Sequence, residues 1–167
     1  PLAAVAKFAD SGKPQPKKDL AMLCIGYGNI YVAQVALGAN YNQTVKAFTE
    51  AESYRGSSII IAYTHCIAHG INMTCGLDEQ KNAVNSGFWP LLRFDPRKID
   101  IDGKPLTLDS KDPSISFEDF AYNEARFKSL TKTKPEHAAK LLKDAQKEVS
   151  RRWNIYKQMA DMNWKQQ

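Results

Sequence analysis

The stretch Ser57-Ser58-Ile59-Ile60-Ile61-Ala62-Tyr63-Thr64-His65-Cys66-Ile67-Ala68-His69-Gly70 decides the reading of the fold. Its continuous apolar run, Ile59 to Ala62, predicts a strand covered on both faces, as in a parallel sheet. In open α/β sheets, chemistry sits just beyond the carboxyl ends of the strands. Cys66 falls at such an end with His65 and His69 beside it, so its thiol is a candidate ligand or nucleophile.

Working upstream, Arg55-Gly56 stops a helix that Asn40 can cap, with Gln43 placed to reciprocate. That helix carries Tyr41, Val45, Phe48 and Ala51 at helical spacing. Before it, Ile30-Tyr31-Val32-Ala33 reads as a short strand. Asp19 can cap an earlier helix to about Tyr27, with Leu20, Leu23 and Cys24 on one face. Ser11 to Lys18 is a loop rich in proline and glycine. Helix, strand, helix, strand in this spacing predicts a mostly parallel sheet with crossover helices.

Downstream, Asp78 to Ser86 suggests a short helix, Trp89 to Phe94 a strand, and Asp95-Pro96-Arg97 a turn. Lys104 to Leu108 reads as a hairpin or edge strand. Ser116 opens a helix with Asp119 as its box partner, and Phe117, Phe120, Ala121, Ala125 and Leu130 continue its apolar spacing. Pro135 suits the first turn of a last helix reaching about Met162. Leu141, Leu142, Ala145, Val149, Trp153, Tyr156 and Ala160 form its stripe.

Composition sets bounds. A chain of 167 residues, 43% hydrophobic, can bury one core. No run of 18 apolar residues is present, so no membrane-spanning helix is expected. The opening Pro1-Leu2-Ala3-Ala4 shows no signal-peptide pattern and reads as a cut inside a longer chain. Three cysteines argue against a disulfide scaffold and for a reducing, cytoplasmic setting. The net charge of +5 is uneven: residues 126–167 carry 11 Lys/Arg against 4 Asp/Glu, and the rest 12 against 14. A solvated helix face is the simplest reading of that basic tail.

Each chemical motif has a plainer counterpart. Gly26-Tyr27-Gly28 lacks the third glycine of a dinucleotide fingerprint and lies between a helix and a strand, in the wrong order, so it reads as a helix end feeding a strand. His65, Cys66, His69 and Cys75 lack the paired halves of a zinc site. Neighbouring side chains such as His65 and Cys66 rarely aim at each other as a nucleophile and base. Cys24 and Cys75 read as packing thiols. Lys17, Lys18, Arg93 and Arg97 read as surface charges, since no glycine-rich cradle precedes a helix. Trp153, Tyr156 and Trp164 read as core or interface, not as base-stacking platforms. A lone Cys at a strand end also suits one of the four thiolates of an iron–sulfur cluster.

Five stretches together resemble the pyruvate:ferredoxin (or flavodoxin) oxidoreductases. They are AVAKFADSGKPQPKKDLA at 4–21, YGNIYVAQVALG at 27–38, FTEAESYRGSSIIIAYTHCIAHG at 48–70, NAVNSGFWPLLRFDPR at 82–97 and LTLDSKDPS at 106–114. They occur in the family's order and cover nearly the whole chain. The resemblance implies an α/β fold: residues 1–114 as the downstream half of a thiamine-diphosphate-binding domain, and residues 115–167 as a helical C-terminal extension. It implies oxidative decarboxylation of pyruvate to acetyl-CoA, with electrons passing through [4Fe-4S] clusters to ferredoxin or flavodoxin, in a homodimer that binds neither nucleic acid nor membrane. Cys66 matches the cysteine similar to the fourth ligand of the thiamine-proximal [4Fe-4S] cluster. Cys24 and Cys75 match no ligand, and His65 and His69 are left to shield the sulfur or hydrogen-bond near it. The segments holding Mg2+ and the diphosphate, and the other three cluster cysteines, are expected upstream, so the isolated fragment is expected to be inactive. Two alternatives stay open: a related 2-oxoacid oxidoreductase or a fusion to another acceptor module, and a non-catalytic segment that docks a partner through its basic tail.

Overall fold

The computed structural model describes residues 1–165. Helix α1 (Leu20–Ile25) leads into strand β1 (Tyr31–Val35); α2 (Tyr41–Ser53) then crosses over to β2 (Ser58–Ala62). The caps are those expected. Asp19 accepts from the Met22 amide, and Asn40 accepts from the Gln43 amide at 3.0 Å. The Gln43 side chain does not reciprocate. Its amide donates instead to the Gln34 carbonyl and to Asp109.

Strands β1 and β2 pair in parallel, with Ala33 opposite Ile60. The α/β class therefore holds, with its crossover helix between the Ile-rich strand and its neighbour. The sheet is mixed rather than mostly parallel. Its order is β2-β1-β3-β4, and both β3 (Leu92–Phe94) and β4 (Leu106–Leu108) join antiparallel. The return from β2 explains this. Helix α3 (Gly76–Asn85) packs on a later helix, and β3 begins opposite Gln34, near the carboxyl end of β1, so the chain re-enters the sheet from the end at which it left β2. The turn at Asp95 and the short helix α4 (Lys98–Ile101) then bring β4 back beside β3 as the expected edge strand.

The burial of β2 is shallower than expected for a strand covered on both faces. Ser58 and Ala62 are exposed and the three isoleucines half-buried. β2 is an edge of the sheet among the described residues, so one flank has no neighbouring strand. Both faces are nonetheless covered. Ile60 packs with Tyr31, Ala33, Val35 and Ala47 under α2, while Ile59 and Ile61 pack with Val32, Leu92 and Tyr156 on the other side.

Ser116 and Asp119 form the expected capping box at the start of α5 (Phe117–Ala121). The single helix expected through Leu130 is instead broken at Tyr122 to Glu124, and α6 runs over Ala125–Thr133. The break carries Glu124 inward to full burial. Pro135 begins α7 (Pro135–Asp161), whose stripe of Leu141, Ala145, Val149, Trp153 and Tyr156 is buried. At 1.5 Å per residue it is about 40 Å long, long enough to run from the phenylalanine cluster of α5 to the edge strand β4. Trp164 closes on Phe94 edge-to-face, with ring centroids 5.5 Å apart.

Arg93 is a correction. It was expected at the surface, yet its side chain is 6% exposed. Its place on β3 opposite Ala33 turns it under α2, where Glu50 and Asp109 neutralise it. Lys17, Lys18 and Arg97 carry exposed side chains as expected, Arg97 pairing with Asp95.

Candidate functional site

Cys66 lies four residues past the end of β2. Its backbone is extended, and it caps a single 3₁₀ turn, Ile67–His69. The Ala68 amide donates to its Sγ at 3.4 Å, and the His69 amide donates to its carbonyl at 2.9 Å. Gly70 ends the turn at φ 71, in the left-handed region. A Cβ there would lie 2.4 Å from the Ala125 Cβ, and the Ala125 amide donates to the Gly70 carbonyl. The Cys66 loop is thus held against the start of α6 by a residue that only glycine suits. The sulfur is half-buried and already accepts one amide hydrogen bond.

Of His65 and His69, only His65 has a hydrogen-bonded ring among the described residues. The Gly38 amide donates to Gln80 Oε1 at 2.8 Å, which leaves the Gln80 amide nitrogen facing His65 Nδ1 at 3.1 Å. Nδ1 is therefore the acceptor, and a neutral His65 carries its proton on Nε2. Its ring lies over Gly76, where an added Cβ would meet Nε2 at 2.3 Å. His69 Nδ1 is 3.7 Å from Glu124, too far for a hydrogen bond. Burial and then Arg126 push His69 below its ordinary value, which favours the neutral ring.

Behind this loop is a buried acid network that motif reading missed. Glu124 pairs with Arg126 and accepts from the Tyr63 hydroxyl at 3.3 Å. Burial raises the Glu124 carboxyl, and Arg126 opposes the shift. Glu79, 5% exposed, has an Oε1 with no hydrogen-bond partner. Burial first, and then the charge of Glu124, raise its carboxyl to about 7. Neither glutamate carries a local sequence signal. The break at Tyr122 to Glu124 interrupts an otherwise helical apolar pattern and cannot be read from it.

No family model matches the chain. Individual proteins do. A pyruvate-flavodoxin oxidoreductase of Nostoc is 56% identical over 160 residues, covering 96% of this chain and 13% of that protein. A probable pyruvate-flavodoxin oxidoreductase of Escherichia coli is 46% identical over 160 residues, 96% of this chain and 14% of its own length. A pyruvate:ferredoxin oxidoreductase of Moorella thermoacetica is 47% identical over 158 residues, 95% of this chain and 14% of its own.

Over 96% of its length this chain is homologous to a segment of the pyruvate-flavodoxin oxidoreductases. It spans about an eighth of the length of the curated relatives it matches and corresponds to one segment of that longer enzyme.

The three thiols have unequal prospects as ligands. Cys24 is buried on α1 against the Val32 and Tyr156 side of the sheet, as its packing reading expects. Cys75 is a correction: it is exposed at the end of a 3₁₀ turn (Met73–Cys75), its sulfur beside the Thr74 hydroxyl, and it packs no core. Among the described residues, no three His, Cys, Asp or Glu side chains converge as a metal site. A [4Fe-4S] cluster takes four thiolates. These residues cannot supply four, so Cys66 could serve only as a single ligand to a cluster whose other thiolates come from outside them. Its sulfur is accessible, held by a capped turn and already hydrogen-bonded to an amide. No helix among the described residues is long and apolar enough to cross a membrane.

Proposed function

We propose that this chain is the downstream part of the thiamine-diphosphate-binding region of a pyruvate:flavodoxin or pyruvate:ferredoxin oxidoreductase, and that Cys66 gives its thiolate to the [4Fe-4S] cluster nearest the thiamine. Residues 1–114 form the second half of the α/β domain and residues 115–167 its helical extension. The rest of the polypeptide holds Mg2+, the diphosphate and the other three thiolates of that cluster. The enzyme works as a cytoplasmic homodimer. Its reaction takes pyruvate, CoA and two oxidised one-electron carrier equivalents to acetyl-CoA, carbon dioxide, a proton and two reduced equivalents. The segment alone is inactive.

The observation that carries this reading is the position of the Cys66 sulfur. It is half-buried beyond the carboxyl end of β2 and accepts the Ala68 amide at 3.4 Å. When bound, the cluster supplies one-electron transfer between the thiamine and the outgoing carrier. This chain's contribution is positional. The turn Ile67–His69 aims the sulfur, Gly70 locks that turn against α6, and the amide bond favours negative charge on sulfur and so tunes the potential. His65, with its Nδ1 against the Gln80 amide, shields one side of the loop.

The test is chemical analysis of the intact enzyme. Cys66→Ser is expected to lower iron and acid-labile sulfide by about one cluster per chain, relative to a Cys75→Ser control. An unchanged iron content sinks the assignment.

A further inference from the structure

We infer that a basic cleft beside the carboxyl end of β2 is a receptor for an oxyanion, a carboxylate or a phosphate group, held by Lys17, Arg126 and Arg152. The cleft encloses about 290 Å³ and has Thr64, Phe88 and Trp89 among its lining residues. Three elements distant in sequence converge on it: the loop before α1, the start of α6 and the middle of α7.

Each cation keeps donors in reserve. Arg152 donates through one terminal nitrogen to the Phe88 carbonyl and lies 5.8 Å from the Phe88 ring centroid. Its Nε is buried with no acceptor. A buried donor left unpaired costs about 1–3 kcal/mol, and native folds rarely keep one. Arg126 uses Nε on Glu124, and its two terminal nitrogens have no acceptor among the described residues. Lys17 has neither a hydrogen bond nor a carboxylate partner there. Of the nearby carboxylates, Glu148 is taken by Arg151, while Glu124, bonded by Arg126 and Tyr63, offsets one of the three positive charges and leaves two in excess. The cleft is thus positive and partly shielded from water. Two guanidinium forks and one ammonium match the flat, multiply accepting geometry of a carboxylate or phosphate.

The oxyanion can be carried by a soluble molecule or by a carboxylate side chain from the rest of the enzyme. Calorimetric titration of the intact oxidoreductase with inorganic phosphate and with acetate separates the two. Lys17→Met and Arg152→Met are compared with Lys132→Met, a change at an exposed position outside the cleft. For a soluble ligand, one anion binds the wild type and Lys132→Met alike, and about tenfold more weakly to the two cleft variants. For an internal carboxylate, no extra anion binds, but Lys17→Met melts below Lys132→Met, a loss that no contact among the described residues explains. Anion binding equal in all four proteins, or no binding together with identical melting of Lys17→Met and Lys132→Met, overturns the inference.

Discussion

Arg93 holds Asp109 in a two-bonded fork, Nε to Oδ2 at 2.8 Å and Nη2 to Oδ1 at 2.8 Å, beneath α2. Its remaining nitrogen reaches Glu50 at 2.6 Å, and Glu50 accepts in turn from the Tyr31 hydroxyl at 2.9 Å. One buried cation thereby ties β1, β3, α2 and the residue after β4 together. Breaking a buried pair by removing one partner costs about 3–5 kcal/mol, because the other charges stay buried. Arg93→Met leaves two carboxylates unpaired and is expected to speed amide hydrogen exchange in β1 and β3 by about a hundredfold or more. Exchange at the wild-type rate contradicts the tie.

Glu79 makes stability depend on pH with a definite sign. Its folded value of about 7 lies above the ordinary 4.5. Between those values the folded chain keeps the proton and the unfolded chain loses it, so unfolding becomes easier as pH rises. The contribution is complete below about 4.5 and gone above about 7, and is worth at most about 3 kcal/mol. Urea midpoints of Glu79→Gln are expected to be flatter across this window than those of the wild type, and higher at pH 8. Parallel curves for the two proteins contradict the role given to Glu79.

Gly70 locks the Cys66 turn. Gly70→Ala strains a left-handed position and drives a methyl group against Ala125, for a cost of about 1–3 kcal/mol. The expected consequence is faster proteolysis between residues 63 and 76 and partial loss of iron, with all cysteines intact. A variant as protected and as iron-rich as the wild type separates the turn from the sulfur's placement.

The Ser116–Asp119 box sets the start of α5 and hence the position of the fully buried Phe117 and Phe120. Ser116→Ala is expected to destabilise by about 1 kcal/mol, and Ser116→Asp, which keeps a cap, by less. Chemical denaturation that ranks the two the other way contradicts the capping assignment.

Much of the architecture was legible because it rests on local chemistry. Asp19, Asn40, Ser116 and Pro135 act at helix starts through short-range bonds or fixed φ, and each does what its residue type predicts. The Ile-rich strand and its crossover helix were legible from apolar continuity. The direction of β3 was not, since it depends on where α3 packs. The burial of Arg93 was not, because its partners Glu50 and Asp109 lie on other elements. Cys66 was visible as a thiol past a strand end. The Gly70 lock and the burial of Glu124 depend on how α6 folds back on that loop.

The central claim concerns one sulfur, and the most direct measurement is the electron paramagnetic resonance spectrum of the reduced intact enzyme with Cys24, Cys66 and Cys75 replaced singly by serine. The account predicts that one cluster signal is lost or shifted in Cys66→Ser, while Cys24→Ser and Cys75→Ser keep the wild-type set. A Cys66→Ser spectrum identical to wild type would contradict it.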